Sequence, residues 1–194
     1  MNTRTFAGAV ALAALALVAA PAAHAQANTL TAKQKSLGWR LLFDGKTMDD
    51  WRGYKMAAVP TGWRVADGII VKDSGAEDIV TRDSFADFEL VMDWKLAKAG
   101  YSGIFYHGTE EYDHIYWSAP EYQLLDDANA PDGAKLLTSA GADYALYPSP
   151  AGIEHPFGEW NTARIVVRGN HVEHWMNGKK LLSYTLGSAD WAAK

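Results

Sequence analysis

The sequence predicts an all-β sandwich. Three observations carry this: paired Asp-Gly and Asn-Gly turn signals between short apolar runs, one ten-residue stretch of strict alternation, and no convincing helix or βαβ unit. No sequence repeat recurs at a fixed period, so a propeller or solenoid is not expected.

In chain order, residues 1–25 have the form of a secretory leader. Arg4 supplies the positive start, Phe6 to Ala20 is apolar and Ala-rich, and Ala23-His24-Ala25 has the small-x-small form that precedes cleavage. Fifteen apolar residues fall short of a membrane span, and no cysteine follows to carry a lipid or a disulfide. The expected product is a periplasmic or secreted protein with no membrane insertion once the leader is removed. Residues 26–37 are a polar lead-in with at most one helical turn, and residues 38–194 form one domain.

Trp39 to Phe43 alternates weakly and is expected to be the first strand, ended by Asp44-Gly45-Lys46. Trp63-Arg64-Val65, Asp67-Gly68 and Ile69-Ile70-Val71 read as a tight hairpin. A short strand is expected at 78–82. From Asp87 to Leu96 the period is two, with Phe88, Leu90, Met92, Trp94 and Leu96 on one face. Gly100 to Gly103 is expected to turn the chain into a strand at 104–107. Glu121 to Asp126 is a further strand, followed by an irregular, Ala/Pro/Gly/Asp-rich segment from 127 to 156; connections of that length are usually functional or disordered. Strands at 160–168, 171–177 and 181–186, joined at Gly169-Asn170 and Asn177-Gly178, complete the pattern, with His174 on the apolar face of its strand.

A net charge of −5 without a basic stripe argues against nucleic acid or an anionic membrane surface as partner. Eight Trp and nine Tyr fit a carbohydrate ligand, whose apolar ring faces stack on aromatic side chains, or equally a well-filled β core. The candidate site is Glu121-Tyr122-Gln123-Leu124-Leu125-Asp126. On a strand, Glu121 and Gln123 share a face with Cα atoms about 6.6 Å apart, while Tyr122 and Leu124 face the core. A bulge at Leu124 to Asp126 would return Asp126 to the same face.

Six motifs in fixed order extend the reading: Gly38-Trp39-x-x-Leu42-Phe43-Asp44-Gly45-Lys46, Asp87-Phe88-Glu89-Leu90, Ser102-Gly103-Ile104-Phe105-Tyr106, Glu121-Tyr122-Gln123-x-x-Asp126, Gly158-Glu159-Trp160-Asn161 and His174-Trp175-x-Asn177-Gly178. From about Gly38 to Leu186 this order resembles the 3-keto-disaccharide hydrolase domain family of secreted bacterial proteins. The resemblance implies a concanavalin-like jelly roll of two curved antiparallel sheets, acting on glycosides already oxidised at the sugar 3-position. Family members continue past the Asn-Gly hairpin into a Gly-His-Ile-x-Leu-Gln-Asp-His-Gly segment. Here Ser188-Ala189-Asp190-Trp191 follows instead, so the jelly roll is expected to lack its last strand or strands.

A 3-ketone acidifies the C2 proton. Cleavage then needs a base near C2, an electrophile on the 3-oxygen and an acid near the leaving oxygen. The expected catalytic groups are Glu121, Asp126 and His114. Gln123, Tyr106, His107, Trp117, Tyr144 and Arg164 are expected to contact substrate. No His/Cys spacing indicates a transition metal, while a divalent cation held by scattered carboxylates stays open as a cofactor. Two alternatives stand beside the keto-sugar reading. One is a non-catalytic carbohydrate-binding module. The other is a conventional retaining glycosidase, which needs two carboxyls about 5 to 5.5 Å apart.

Overall fold

A computed structural model describes residues 28–194; the leader and its expected cleavage point lie outside the described residues. Among the described residues the fold is all-β, with two helices of about one turn, α1 (Ala32–Ser36) and α2 (Ala189–Ala192). The strands are β1 (Trp51–Gly53), β2 (Trp63–Ala66), β3 (Ile69–Lys72), β4 (Ile79–Thr81), β5 (Phe88–Trp94), β6 (Tyr101–Phe105), β7 (Glu121–Leu125), β8 (Asn161–Arg168), β9 (His171–Met176) and β10 (Lys179–Thr185). All pairings are antiparallel: β1 with β4, β2 with β3, β6 with β7, and a four-stranded sheet ordered β10-β9-β8-β5.

The turn chemistry explains the hairpins. Asp67 and Gly68 both adopt positive φ (51° and 74°), as do Asn177 and Gly178 (49° and 78°). Two consecutive left-handed residues match the twist of the flanking strands, which is why Asn-Gly and Asp-Gly sit there. In contrast, Trp39 to Phe43 forms no strand. The Leu42 carbonyl accepts the Trp51 indole N–H at 2.6 Å, and the Asp44 carboxylate accepts from the N–H groups of Lys46 and Thr47. These local bonds bend the chain away from any ladder partner. β6 begins three residues before the expected position, because Tyr101 and Ser102 pair with Leu125 and Leu124.

Alternation decides what fills the centre. Trp94 from β5, Ala163, Ile165 and Val167 from β8, Val172, His174 and Met176 from β9 and Tyr184 from β10 share the inner face of the large sheet. Tyr122 and Leu124 from β7 pack onto them, making one buried core between two layers. The irregular segment contributes a layer of its own. Asp143 bridges to Tyr122, the Gln123 N–H donates to the Ala142 carbonyl, and the Gly141 N–H donates to the Gln123 carbonyl. β7 is therefore flanked on both edges, by β6 and by residues 141–144, and is no solvated edge strand.

Candidate active site

Glu121 and Gln123 project from one face of β7, opposite Phe105 and Gly103 of β6. Glu121 lays its carboxyl group across the strand pair, onto Gly103. A Cβ at Gly103 would stand 2.7 Å from the carboxyl carbon of Glu121, closer than real Cβ atoms come. Gly103 is not among the residues with positive φ, so an alanine fits the backbone there and only the carboxyl group must move. Gly103→Ala is accordingly expected to cut turnover about 100-fold by misplacing that group, with little change in thermal midpoint. Steady-state kinetics beside a melting curve reads both quantities. Gln123 is buried, and in the orientation that satisfies its neighbours its amide nitrogen donates to the Ser102 carbonyl (3.2 Å) and to Glu121 Oε1 (3.3 Å). It positions Glu121.

Burial is the main cause that pushes Glu121 up to about 7, followed by the negative charges of Asp78 and Asp143. Asp78, just before β4, is itself raised by partial burial and is lowered in part by His114. This carboxylate thus stands within electrostatic reach of both Glu121 and the loop that carries His114. Tyr144 joins the same group: its N–H donates to the Glu121 carbonyl at 3.0 Å, its hydroxyl donates to Asp132, and the Glu121 charge helps to raise it. Among the expected site residues, the fold thus gathers Glu121, Gln123, Tyr144 and the His114–Trp117 loop.

Others are taken elsewhere. The expected bulge is absent, since β6 and β7 pair in unbroken register from Glu121 to Leu125. Asp126 is 3% exposed and closes the loop behind the strand, accepting from the Ala99 N–H (2.7 Å) and from the Asn129 amide. A carboxylate occupied this way has no free face for catalysis. Tyr106 is in the core, bonded to His174 Nε2 at 2.7 Å and to the Tyr184 hydroxyl. The His107 ring meets the Ala86 carbonyl (2.9 Å) and the edge of Phe88. Arg164 points from the outer face of the four-stranded sheet, paired with Glu89 at 2.6 Å and stacked over Trp175. Alternation along β8 forces this, because Ala163 and Ile165 face inward.

Two residues of consequence escaped the sequence reading, Asp78 and Asp143. Asp78 lies far from Glu121 in sequence, and nothing in local spacing signals their approach. Asp143 sits within the irregular segment, fully buried, and neither carboxylate oxygen makes a well-formed hydrogen bond. The Tyr184 hydroxyl and the Glu121 N–H act on it, yet burial pushes it up to about 7. His174, expected in the core, is there: burial lowers it to about 4. Because a carbonyl only accepts, Nδ1 must donate to Gly141 O, which leaves Nε2 to accept from Tyr106.

A surface hollow of about 380 Å³ opens elsewhere, lined by Asp127, Gly133, Leu136, Gly152 and Glu154 among others. Its lining holds no aromatic ring and shares no residue with the Glu121 face. Among the described residues no three His, Asp or Glu side chains converge as a metal-ligand set.

The profile of the 3-keto-alpha-glucoside-1,2-lyase-like domain matches residues 38–194. The chain belongs to this family. A relative named 3-keto-disaccharide hydrolase, from Bacteroides thetaiotaomicron, is 37% identical over 176 residues, which take in 79% of this chain and 61% of the relative. The chain therefore spans about three-fifths of the length of that relative. A crystal structure from Parabacteroides distasonis, provisionally assigned as a glycosyl hydrolase, superposes with a TM-score of 0.80 at 37% identity, over 85% of this chain and 80% of the other. A second structure from that organism shares the fold, with a TM-score of 0.56 at 24% identity over 78% and 68% of the two chains. The all-β, jelly-roll reading agrees with these neighbours, and no helix among the described residues is long and apolar enough to cross a membrane.

Proposed function

We propose that this chain cleaves the glycosidic bond of 3-keto-glycosides, 3-keto-disaccharides included, with Glu121 as the base that removes the C2 proton. One observation carries the reading: the Glu121 carboxyl group, pushed up to about 7 by burial, lies on a β-strand face that the aromatic β6–β7 loop leads into. A general base works best when its pKa lies near the operating pH.

The proposed chemistry balances without an added oxidant. Glu121 takes the C2 proton, and the electron pair passes into the C2–C3 bond to give an enolate on the 3-oxygen. The ketone then re-forms, a C1–C2 double bond appears, and the C1–oxygen bond breaks. His114, on the neighbouring loop, gives the leaving oxygen its proton. Water added across C1–C2 completes net hydrolysis. Gln123 orients the base, and Tyr144 and Trp117 border the substrate. A retaining glycosidase would need a second carboxyl facing Glu121, and Asp126, the expected partner, is bound into its own loop. The leader read at residues 1–25 would deliver the protein to the periplasm or beyond.

The test uses a pair of substrates. Purified protein should release methanol from methyl 3-keto-α-glucoside and none from unoxidised methyl α-glucoside. Equal rates on both would overturn the proposal.

A further inference from the structure

The connection from β6 to β7 turns aromatic rings outward. Tyr112, Tyr116 and Trp117 are 47%, 53% and 57% exposed, although large apolar groups usually go inside. His114 stacks on Tyr116 with ring centres 4.9 Å apart and planes 9° apart, and the edge-on Trp117 ring lies 5.1 Å from His114. Tyr116 and Trp117 also meet edge to face at 5.9 Å. The three rings form one block.

That block is held rigidly. The Tyr54 hydroxyl bonds the carbonyls of Thr109 (2.9 Å) and Tyr112 (2.8 Å). Arg52 grips Glu110 with both terminal nitrogens (2.6 and 3.1 Å), and the Lys55 N–H donates to the same carboxylate. Ile115 is buried beneath, against the bare backbone of Gly108. A 3-10 turn at Ile115–Trp117 then fixes the outward rings. Rings ordered in advance lose little freedom when a ligand arrives.

Position gives the block its use. Its chain leads through Pro120 directly into Glu121. Tyr54, whose hydroxyl anchors the loop, also donates its N–H to the Asp78 carbonyl at 2.9 Å, and the Asp78 charge in turn acts on Glu121. We infer that Tyr116 and Trp117, braced by His114, form the subsite for the departing sugar ring of a disaccharide, while Glu121 faces the oxidised ring. The inference rests on the proposed keto-sugar cleavage and adds which ring lies where. A pyranose presents axial C–H groups on one face, which pack on an aromatic plane as a methyl group cannot.

The experiment compares 3-keto-maltose, whose leaving group is a glucose ring, with methyl 3-keto-α-glucoside, whose leaving group is methanol. In Trp117→Ala and Tyr116→Ala the preference for the disaccharide, as a ratio of kcat/KM values, should fall about 10- to 100-fold, chiefly through KM. Tyr101→Ala removes an exposed aromatic ring at the far end of the same hairpin and should leave the ratio as in the wild type. An unchanged ratio in both loop variants would overturn the inference, as would an equal fall in Tyr101→Ala. If the wild type turns over neither substrate, the cleavage proposal fails, and the subsite is read separately by quenching of tryptophan fluorescence with maltose. Weakened maltose binding in Tyr116→Ala then supports it, and unchanged binding rejects it.

Discussion

Glu121→Gln is expected to lower turnover of a 3-keto-glycoside by about a thousandfold, within the range for removal of a positioned general base. Glutamine has nearly the same shape, so the seat over Gly103 and the contact with Gln123 remain available. What disappears is the basicity of the carboxylate, since an amide oxygen keeps its lone pairs but is too weak a base to take the C2 proton. The base works in its ionised form, and burial has pushed Glu121 up to about 7. In the wild type kcat/KM should therefore rise as pH increases through about 7, and in the variant that limb should vanish. The same change should raise thermal stability at pH 8, since an amide removes a partly buried charge. A variant with undiminished turnover, or with the neutral-pH limb intact, would move the base elsewhere, with Asp78 next to be tested.

The second large effect concerns Asp143. Its carboxyl group is fully buried with no well-formed hydrogen bond, beside Tyr184, which bonds Tyr106, which in turn bonds His174. Folding raises it from 3.8 to about 7. A raised carboxyl group contributes its stability in full below the unfolded value, near 3.8, and loses it as pH climbs to the folded value. Above pH 7 the native state carries a buried, poorly paired charge. Asp143→Asn stays neutral throughout. Its stability relative to the wild type should therefore improve between pH 4 and pH 8, by on the order of 3 kcal/mol. Urea unfolding of both proteins at the two pH values measures this shift, and parallel pH profiles would show that Asp143 ionises in the native state as it does in the unfolded chain.

Loss of the Asp143 charge also bears on Glu121, because that charge is among the causes that raise it. In Asp143→Asn the neutral-pH limb of the rate profile should move to lower pH, coupling the two effects across the edge of β7 that Asp143 flanks.

Sequence alone determined the all-β architecture and most strand positions. Period-two alternation in β5, β8 and β9 and the Asp-Gly and Asn-Gly hairpins are local chemistry, and each acts over a few residues. The same local logic put Tyr122 and His174 in the core and Glu121 on the opposite face of β7 from Tyr122. Tertiary structure alone decided which polar groups meet there. Asp126 was lost to a loop clamp that no alternation rule contains, whereas the parity of β8, which alternation does contain, sends Arg164 to the outer face. Asp78, just before β4, and Asp143, in the irregular segment beside β7, are distant from Glu121 in sequence, yet their charges act on it once the chain is folded, and desolvation is the largest cause raising all three carboxyl groups. Direction along a strand is a property of neighbouring residues. Burial and charge coupling depend on everything packed around them, so they exist only once the whole chain has folded.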